Sequence, residues 1–340
     1  MVPDPDSPSD HAAGPPSRDR SSDAFSRHVS RVTDRFDELL PYAVVPLVLS
    51  LLEVGKIERV LDPHRTSFSV QFSLPSPLLE LWSLVDPPDP ASTGSSTTTG
   101  WDTGAPFEDT GGAAPVGGPT ATGPEITIET PVESIVLPVD AVGSVQLAWL
   151  GILLLAYGVI AAAVAAGYLG GIDRRLRGEP AVLLACVVDY APRLFAYYLV
   201  VFAAFLALLP IALIAPPLLL LGVPLVLVLG YCFYAAPFLL VVADAGVLEA
   251  FRRSYGFATA GGAYFWFALG HVLVTAIVSI VLSVLLNGGI VGFVIALLVA
   301  SPVGLVLTAA TVSLCQELVD GDDETYRDPI ADRDRFDSSG

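Results

Sequence analysis

Three long apolar intervals without a formally charged side chain occupy the chain between Asp140 and Glu317. They run between Asp140 and Asp173, between Arg193 and Asp244, and between Arg253 and Glu317. A helix that crosses the hydrocarbon core of a bilayer needs about 20 apolar residues. The first interval therefore predicts one membrane-spanning helix, at 145–169, and the two longer intervals predict two helices each. Proline and glycine pairs divide the longer intervals, at 215–217 and at 287–289.

A shorter apolar run at 39–55 predicts one more span and brings the total to six. It has about 17 residues, the lower end of what crosses about 30 Å of hydrocarbon. Pro46 predicts a kink in this helix, and Glu53 lies near its exit. Before it, residues 26–40 carry an arginine at every fourth position on one face and apolar residues on another. This pattern predicts either an interfacial helix with a basic face or an ordinary solvated helix end.

Two further segments have the character of short amphipathic helices on one membrane face. Residues 181–192 are too short to span a membrane and end at Pro192, which favours a helix that lies in the interface or re-enters the membrane. Residues 244–257 begin with Asp244, a residue type that caps helix N-termini. Within them Glu249 and Arg253 form an i,i+4 pair opposite an apolar face.

The segment between the first two spans, residues 56–143, has a different composition. Alternating apolar residues at 64–74 predict a strand, and residues 125–139 contain a second β-like run. We hypothesise that the two runs pair with each other. Between them, residues 87–124 are rich in Ser, Thr, Gly and Pro, which predicts disorder and is also typical of O-glycosylated stalks.

These patterns divide the chain into five regions. They are a disordered acidic tail at 1–24, an amphipathic lead-in with the first span at 25–55, the insert at 56–143, a five-span bundle at 144–319, and a second disordered acidic tail at 320–340. The predicted fold class is an all-α integral membrane protein with about six transmembrane helices. Two short amphipathic cytoplasmic helices and a long, partly disordered extracellular insert complete the prediction.

Composition agrees with a membrane protein and suggests its environment. The mean hydropathy of +0.64 is too high for a soluble domain, although the formal net charge is −18. The acidic residues lie in the tails and the insert, outside the apolar runs. Lys56 is the only lysine beside 16 arginines. An acidic surplus with almost no lysine suggests a halophilic, archaeal source, whereas a GC-rich coding bias explains the arginine but not the acidity.

The distribution of basic residues predicts the orientation in the membrane. Six spans place 14 of the 17 basic residues on the side of both termini. Only Lys56, Arg59 and Arg65 fall on the other side. We therefore predict a multi-pass protein of the cell membrane with cytoplasmic termini and with residues 56–143 outside the cell.

Polar side chains along the fifth predicted span form the first candidate site. They recur at every fourth residue and therefore follow one helical face. The residues are His271, Thr275, Ser279, Ser283 and Asn287. They serve either to hydrogen-bond and pack against neighbouring helices or to line a polar path through the bundle. Small residues at the same spacing in the second and sixth spans, such as Gly158 and Gly304, favour close packing.

Charged residues at helix ends on the predicted cytoplasmic face form the second candidate site. They are Asp189, Arg193, Asp244, Arg252 and Arg253. Such residues either cap helices and fix the topology or form a binding site that faces the cytoplasm.

Motifs of soluble enzymes are absent from the sequence. There is no GxGxxG with a following acidic residue, no GxxxxGK[ST], no HExxH and no GxSxG. The four histidines and three cysteines have no metal-ligand spacing. We therefore expect no catalytic residue, no cofactor and no metal. The expected partners are the lipid bilayer and other membrane proteins, not nucleic acid.

Short motifs in the second half of the chain resemble those of a known family. Residues 167–178 read GYLGGIDRRLRG, and residues 238–257 end in AFRRSYGF, with Glu249 and Ser254 in an E-A-x-x-x-S pattern. Over roughly 145–320 the chain resembles the polytopic glycerophosphodiester phosphodiesterase membrane-domain superfamily, in particular its uncharacterised haloarchaeal relatives. The resemblance implies a six-helix bundle with amphipathic cytoplasmic helices and no assigned activity.

The resemblance does not imply hydrolase activity for this chain. In family members with phosphodiesterase activity, catalysis lies in a separate barrel domain. Here His64-Arg65-Thr66 lacks the glycine of the family's His-Arg-Gly, and no acidic metal ligands follow in order.

Small-residue helix faces and the absence of charge within the five longer spans favour a non-enzymatic scaffold or accessory membrane protein. The alternative is a transporter or permease subunit with a polar path along the fifth span.

Overall fold

The computed structural model describes residues 23–61, 68–87, 125–129, 134–138, 144–214 and 218–337 of the 340-residue chain. It is an all-α membrane fold, as the apolar intervals predict. Within these ranges five helices are long and apolar enough to cross a membrane, and a bent pair in the first part of the chain makes a sixth candidate. The candidate spans are Ala148–Leu176, Leu183–Ala207, Pro224–Val242, Ala263–Leu286 and Gly289–Gly321, with Phe36–Leu52 plus Val54–Leu61 as the bent pair.

Twelve α-helices and one hairpin lie in the described ranges. The first four helices are α1 (Ala24–Thr33), α2 (Phe36–Leu39), α3 (Val44–Leu52) and α4 (Val54–Leu61), with a 3-10 turn at Leu40–Ala43. The short helix α5 (Leu81–Leu84) and the strands β1 (Glu125–Glu129) and β2 (Ser134–Pro138) follow. The bundle continues with α6 (Ser144–Leu176), α7 (Leu183–Ile214), α8 (Leu218–Phe233), α9 (Ala236–Val242), α10 (Val247–Ala260), α11 (Ala263–Leu286) and α12 (Gly289–Asp337).

We refer to the two ends of the bundle by their residues. At the turn end, α11 passes into α12 through a short turn at Gly289, whose φ of 66° favours glycine. This is the break predicted at 287–289. The break predicted at 215–217 lies outside the described residues. The opposite end, with Arg27, Arg177 and Arg193, is the arginine end.

The first span bends at a different residue from the one that the sequence predicts. Pro46 lies in the first turn of α3, where its missing N–H leaves no helical hydrogen bond unmade. The sharp bend, of 72°, follows Leu52 instead. Glu53 adopts a non-helical conformation there and separates α3 from α4.

The amphipathic helix α1 packs on protein. Ala24, His28 and Val32 are buried, and Phe25 packs against Phe267 of α11 with ring centroids 5.4 Å apart. A Cβ at Gly270 would lie 2.7 Å from the Phe25 ring, so the two helices are in close contact. The apolar face of α1 is therefore covered by the bundle, whereas the prediction of an interfacial helix placed that face in lipid.

The helix end predicted at Pro192 is wrong. The separate interfacial helix at 181–192 does not exist, because α7 continues through Pro192 into the third span. A proline removes one helical hydrogen bond, and close packing of α6 on α7 compensates. A Cβ at Gly170 would lie 2.8 Å from Cys186, and one at Gly158 would lie 3.3 Å from Phe195.

The second predicted amphipathic segment is present as α10, but Asp244 is not its N-cap. The helix begins at Val247 with Gly246 as N-cap and no side-chain capping bond. At the other terminus, the tail predicted to be disordered from 320 is helical as far as Asp337, because α12 continues beyond the membrane span.

The insert also differs from the prediction. The two β-like runs do not pair with each other, because β1 pairs with β2 inside the second run, with Ile126 opposite Leu137. Part of the first run, residues 68–74, is extended without being a strand, and the rest lies outside the described residues. The apolar residues after it enter the bundle. Leu79, Leu81, Trp82, Leu84 and Val85 are buried in one cluster with Leu286 and Phe293.

Candidate functional site

We call residues 68–87 the re-entrant segment. It enters the bundle at the turn end, turns inside the bundle, and leaves again at the turn end. Ser69 lies beside Ser283, near the end of α11, and Ser73 lies beside Thr275. The chain then turns, and the Asp86 N–H closes the loop by donating to Ser69 Oγ at 3.0 Å. Residues 56–143 are predicted from the sequence to lie outside the cell, but residues 69–79 of this insert pack against α11 and α12.

The depth of the re-entrant segment follows from the helix beside it. With 24 residues, α11 is about 36 Å long. Thr275 is the thirteenth of them, so Ser73 lies close to the middle of the helix. Farther along, the Leu79 carbonyl oxygen packs directly on Gly304 of α12. Non-helical backbone at this depth is tolerated only where protein or water satisfies its polar groups.

Three hydroxyl groups of α11 satisfy one edge of this backbone, and we call Thr275, Ser279 and Ser283 the hydroxyl ladder. The N–H groups of the extended segment donate to them in order. The distances are 3.3 Å from Ser69 N to Ser283 Oγ, 2.8 Å from Gln71 N to Ser279 Oγ and 3.2 Å from Ser73 N to Thr275 Oγ1. Ser283 and Thr275 also donate back to the carbonyl groups of Ser69 and Ser73, at 2.6 and 3.4 Å.

Simple geometry explains why the ladder fits. Four residues of α-helix advance about 6.0 Å, and two residues of extended chain advance about 6.6 Å. A hydroxyl at every fourth helical position can therefore meet a backbone N–H at every second extended position. The polar stripe is thus largely occupied by the chain's own extended backbone, whereas the packing interpretation of its spacing expected neighbouring helices there.

The two ends of the stripe differ from the ladder. The Asn287 amide donates to the carbonyl oxygen of Ser283 in its own helix, at 2.9 Å. His271 is 1% exposed, and neither ring nitrogen has a hydrogen-bond partner among the described residues. The register of the ladder would place Pro75 opposite His271, and a proline has no N–H to donate.

A group of charged side chains lies where the re-entrant segment meets the bend of the first span. We call Glu53, Lys56 and Glu80 the carboxylate–lysine cluster. Lys56 Nζ lies 3.1 Å from Glu53 Oε2. The carboxylate of Glu80 lies within electrostatic range of both charges. Glu80 Oε2 is buried without a hydrogen-bond partner in the described part of the chain.

Ser50 fixes this cluster in place. It lies one turn before Glu53 in α3, and its hydroxyl accepts a hydrogen bond from the Leu81 N–H at 3.0 Å. Its carbonyl oxygen accepts another from Trp82 Nε1 at 2.8 Å. These bonds tie the start of α5 to the end of α3, so that Glu80 and Glu53 are held on adjoining backbone. Trp82 in turn stacks on Phe293, with ring centroids 6.2 Å apart.

The charged residues predicted at the arginine end pair with one another and with neighbouring helices. Arg193 forms an ion pair with Asp244, which has a φ of 50°, and also donates to its carbonyl oxygen at 3.0 Å. Arg174 lies 3.8 Å from Asp189. Arg253 pairs with Glu249 at 2.7 Å, while Arg252 is exposed on the same helix. These contacts join α6 to α7 and α7 to the α9–α10 connection.

Two buried polar groups at the arginine end were missed by the sequence analysis. Asp173 is 6% exposed, and its carboxylate accepts hydrogen bonds from Gln316 at 2.8 Å and from Arg177 at 3.2 Å. Arg177 also donates to the Val242 carbonyl oxygen at 3.1 Å. Asp173 therefore ties α6 to α12, and Arg177 extends this connection to α9.

His28 is the second missed group. It is 1% exposed, with Nδ1 3.0 Å from Ser313 Oγ and Nε2 3.6 Å from Glu317 Oε2. Burial and the charges of Arg27 and Arg31 lower the pKa of His28 to about 4. Glu317 does not offset them, because its carboxylate pairs with Arg27 at 2.7 Å.

The carboxylate–lysine cluster was also missed, although one feature of the sequence marks it. Residues 78–85, LLELWSLV, are apolar around a single glutamate, which is unusual for an extracellular loop. Within the described residues, no three His, Cys, Asp or Glu side chains lie close enough together to hold a metal ion. The three cysteines are free.

Comparisons with known proteins give no assignment. No family model, no curated protein and no solved structure matches the chain. The resemblance to the phosphodiesterase membrane-domain superfamily therefore stays a prediction.

Proposed function

We propose that this chain is a multi-pass membrane transport protein that binds a monovalent cation or a proton at the carboxylate–lysine cluster. The observation that carries the proposal is the buried, unpartnered oxygen of Glu80 on a re-entrant segment. Ionisable groups at membrane depth are costly and are kept where they bind or conduct charged species. Broken helices and re-entrant backbone recur at the binding sites of secondary transporters.

The charge of the cluster supports a singly charged ligand. Glu53 and Lys56 neutralise each other as an ion pair at 3.1 Å. An ionised Glu80 then leaves one uncompensated negative charge, which one proton or one alkali cation balances. If the arginine-rich end faces the cytoplasm, as the distribution of basic residues predicts, the cluster receives its ligand from outside the cell.

The same geometry weakens the two functions expected from the sequence. The scaffold hypothesis relied on an absence of charge within the five longer spans. Glu53, Lys56 and Glu80 lie outside those spans, but they give the chain an ionisable cluster that a scaffold does not require. Its small-residue faces are also used inside the bundle, since Gly304 packs on Leu79. A solute path along the fifth span is disfavoured, because the hydroxyl ladder holds the re-entrant segment. The absence of enzymatic activity stays a prediction.

Ion flux into proteoliposomes tests the proposal. Vesicles that contain the purified protein and a trapped pH-sensitive or sodium-sensitive dye are given an inside-negative potassium diffusion potential, with sodium or choline outside. We expect a proton or sodium flux above that of protein-free vesicles. Glu80→Gln is expected to lower this flux at least tenfold, because glutamine lacks the negative charge that the proton or cation balances.

Glu58→Gln is the matched control, because Glu58 is exposed on α4 and lies outside the cluster. It should retain the wild-type flux. Equal flux in Glu80→Gln and wild type, or no proton or sodium flux in the wild type, would contradict the proposal.

A further inference from the structure

We infer that His271 and His28 form a hydrated proton path between the middle of the bundle and the arginine end. The direction of proton movement along this path rests on the proposed function. The main observation, two buried imidazoles with unpartnered ring nitrogens, does not depend on that function. Both imidazoles are 1% exposed, and each has at least one ring nitrogen without a hydrogen-bond partner in the described ranges. Buried polar atoms in native proteins are almost always satisfied by protein or by ordered water.

His271 supplies the strongest evidence for internal water. A neutral imidazole has one donor and one acceptor, and an unsatisfied buried group costs roughly 1–3 kcal/mol. Both nitrogens of His271 lack partners among the described residues. The ring centroid of Phe267, which offers no hydrogen-bonding group, lies 6.3 Å from that of His271. Water is the ligand that satisfies a donor and an acceptor on one ring at this depth.

The second imidazole is close to the same phenylalanine. The ring centroid of His28 is 5.8 Å from that of Phe267. The centroids of the two imidazoles are therefore at most about 12 Å apart. Two or three waters at hydrogen-bond spacing of about 2.8 Å cover such a gap.

From His28 the path continues to solvent through protein groups. Nε2 of His28 lies 3.6 Å from the carboxylate of Glu317, whose side chain is 48% exposed. Nδ1 lies 3.0 Å from Ser313 Oγ, which is buried in α12. His28 thus has one nitrogen towards an exposed acid and the other towards the interior.

The transfer through His28 balances. A proton that the Glu317 carboxylate takes up from solvent and passes to Nε2 is matched by release of the Nδ1 proton to Ser313 Oγ. The hydroxyl of Ser313 passes its own proton to the adjoining water, and from there to His271. The imidazole of His28 ends in its other tautomer and resets by rotation of the ring. Because burial lowers the pKa of His28 to about 4, the resting ring is neutral, as this exchange requires.

Nuclear magnetic resonance of ¹⁵N-histidine-labelled protein in lipid nanodiscs tests the hydrated path. His28→Gln and His271→Gln assign the two ring signals. We expect magnetisation transfer from water to the ring nitrogens of both residues, and exchange of their N–H protons with bulk deuterium oxide. Ring signals of His271 with no transfer from water would overturn the inference, whatever the flux.

The flux assay separates failure of the path from failure of the proposed function. His271→Phe and His28→Phe should each lower the proton flux at least tenfold. Leu273→Phe is the control, because Leu273 is 61% exposed on the same helix. Normal flux in both histidine variants, with flux lost in Glu80→Gln, would overturn the path and leave the transport function standing. Absence of flux in the wild type would overturn the transport function itself.

Discussion

Removing all three hydroxyls of the hydroxyl ladder is expected to lower the free energy of unfolding by about 3–9 kcal/mol. The variant combines Thr275→Val, Ser279→Ala and Ser283→Ala. It leaves three backbone N–H groups of the re-entrant segment without acceptors at membrane depth, and each such group costs roughly 1–3 kcal/mol. Unfolding by sodium dodecyl sulfate in mixed micelles, followed by circular dichroism, measures the loss.

The matched control removes two hydroxyls that serve only their own helix. Ser301 and Thr311 are buried in α12, and each donates to the carbonyl group four residues earlier, at 2.8 and 2.9 Å. Ser301→Ala with Thr311→Val leaves no N–H group unmatched, so we expect a change below about 1 kcal/mol. If the ladder variant is no less stable than this control, the ladder does not hold the segment.

Gly304→Val is expected to destabilise the protein by about 3 kcal/mol or to expel the re-entrant segment from the bundle. A Cβ at Gly304 would meet the carbonyl oxygen of Leu79 directly. Overpacking usually costs about 1–3 kcal/mol, and here the obstacle is backbone, which cannot adapt by changing rotamer. Gly304→Ala should show a smaller loss in the same direction. Thermal unfolding in detergent gives the magnitude.

The control for this substitution is Gly151→Val on α6, where a Cβ would meet no atom within 4 Å. The midpoint of thermal unfolding of Gly151→Val should lie within a few degrees of the wild-type midpoint. A Gly304→Val protein as stable as Gly151→Val would mean that the re-entrant segment does not pack against α12.

The spans could be predicted from the sequence because their signal is local. Between Asp140 and Glu317, the intervals without charge correspond to the long helices of the bundle. The spacing of the polar stripe from His271 to Asn287 also predicts a shared helical face, and the structure uses three of its members together. What occupies that face could not be predicted, because its partner lies about 200 residues earlier in the chain.

The re-entrant segment was missed for a related reason. Its extended part alternates like a surface strand, since every second residue faces α11 and the intervening residues, such as Phe68 and Phe72, are exposed. Periodicity alone does not distinguish a neighbouring strand from a row of helical hydroxyls. The carboxylate–lysine cluster was missed with it. The apolar run at 78–85 marks Glu80, but only a tertiary contact with α3 brings that residue to Glu53.

Proline was a weaker guide than its local chemistry suggests. Pro192 does not end a helix, because α6 and α7 pack closely around Gly170 and Cys186. Pro46 does not bend the first span, since it falls in the first turn of α3. In both cases the position within the helix and the tertiary packing decide the outcome.

Thiol crosslinking between the re-entrant segment and α11 tests most directly whether the segment lies inside the bundle. In a background without the three native cysteines, Ser73→Cys with Thr275→Cys should react rapidly with a short bifunctional thiol reagent in native membranes. Ser73→Cys with Ser283→Cys should not, because Ser283 lies about 12 Å farther along the helix. Crosslinking of the second pair at the rate of the first, or of neither pair, would contradict the account.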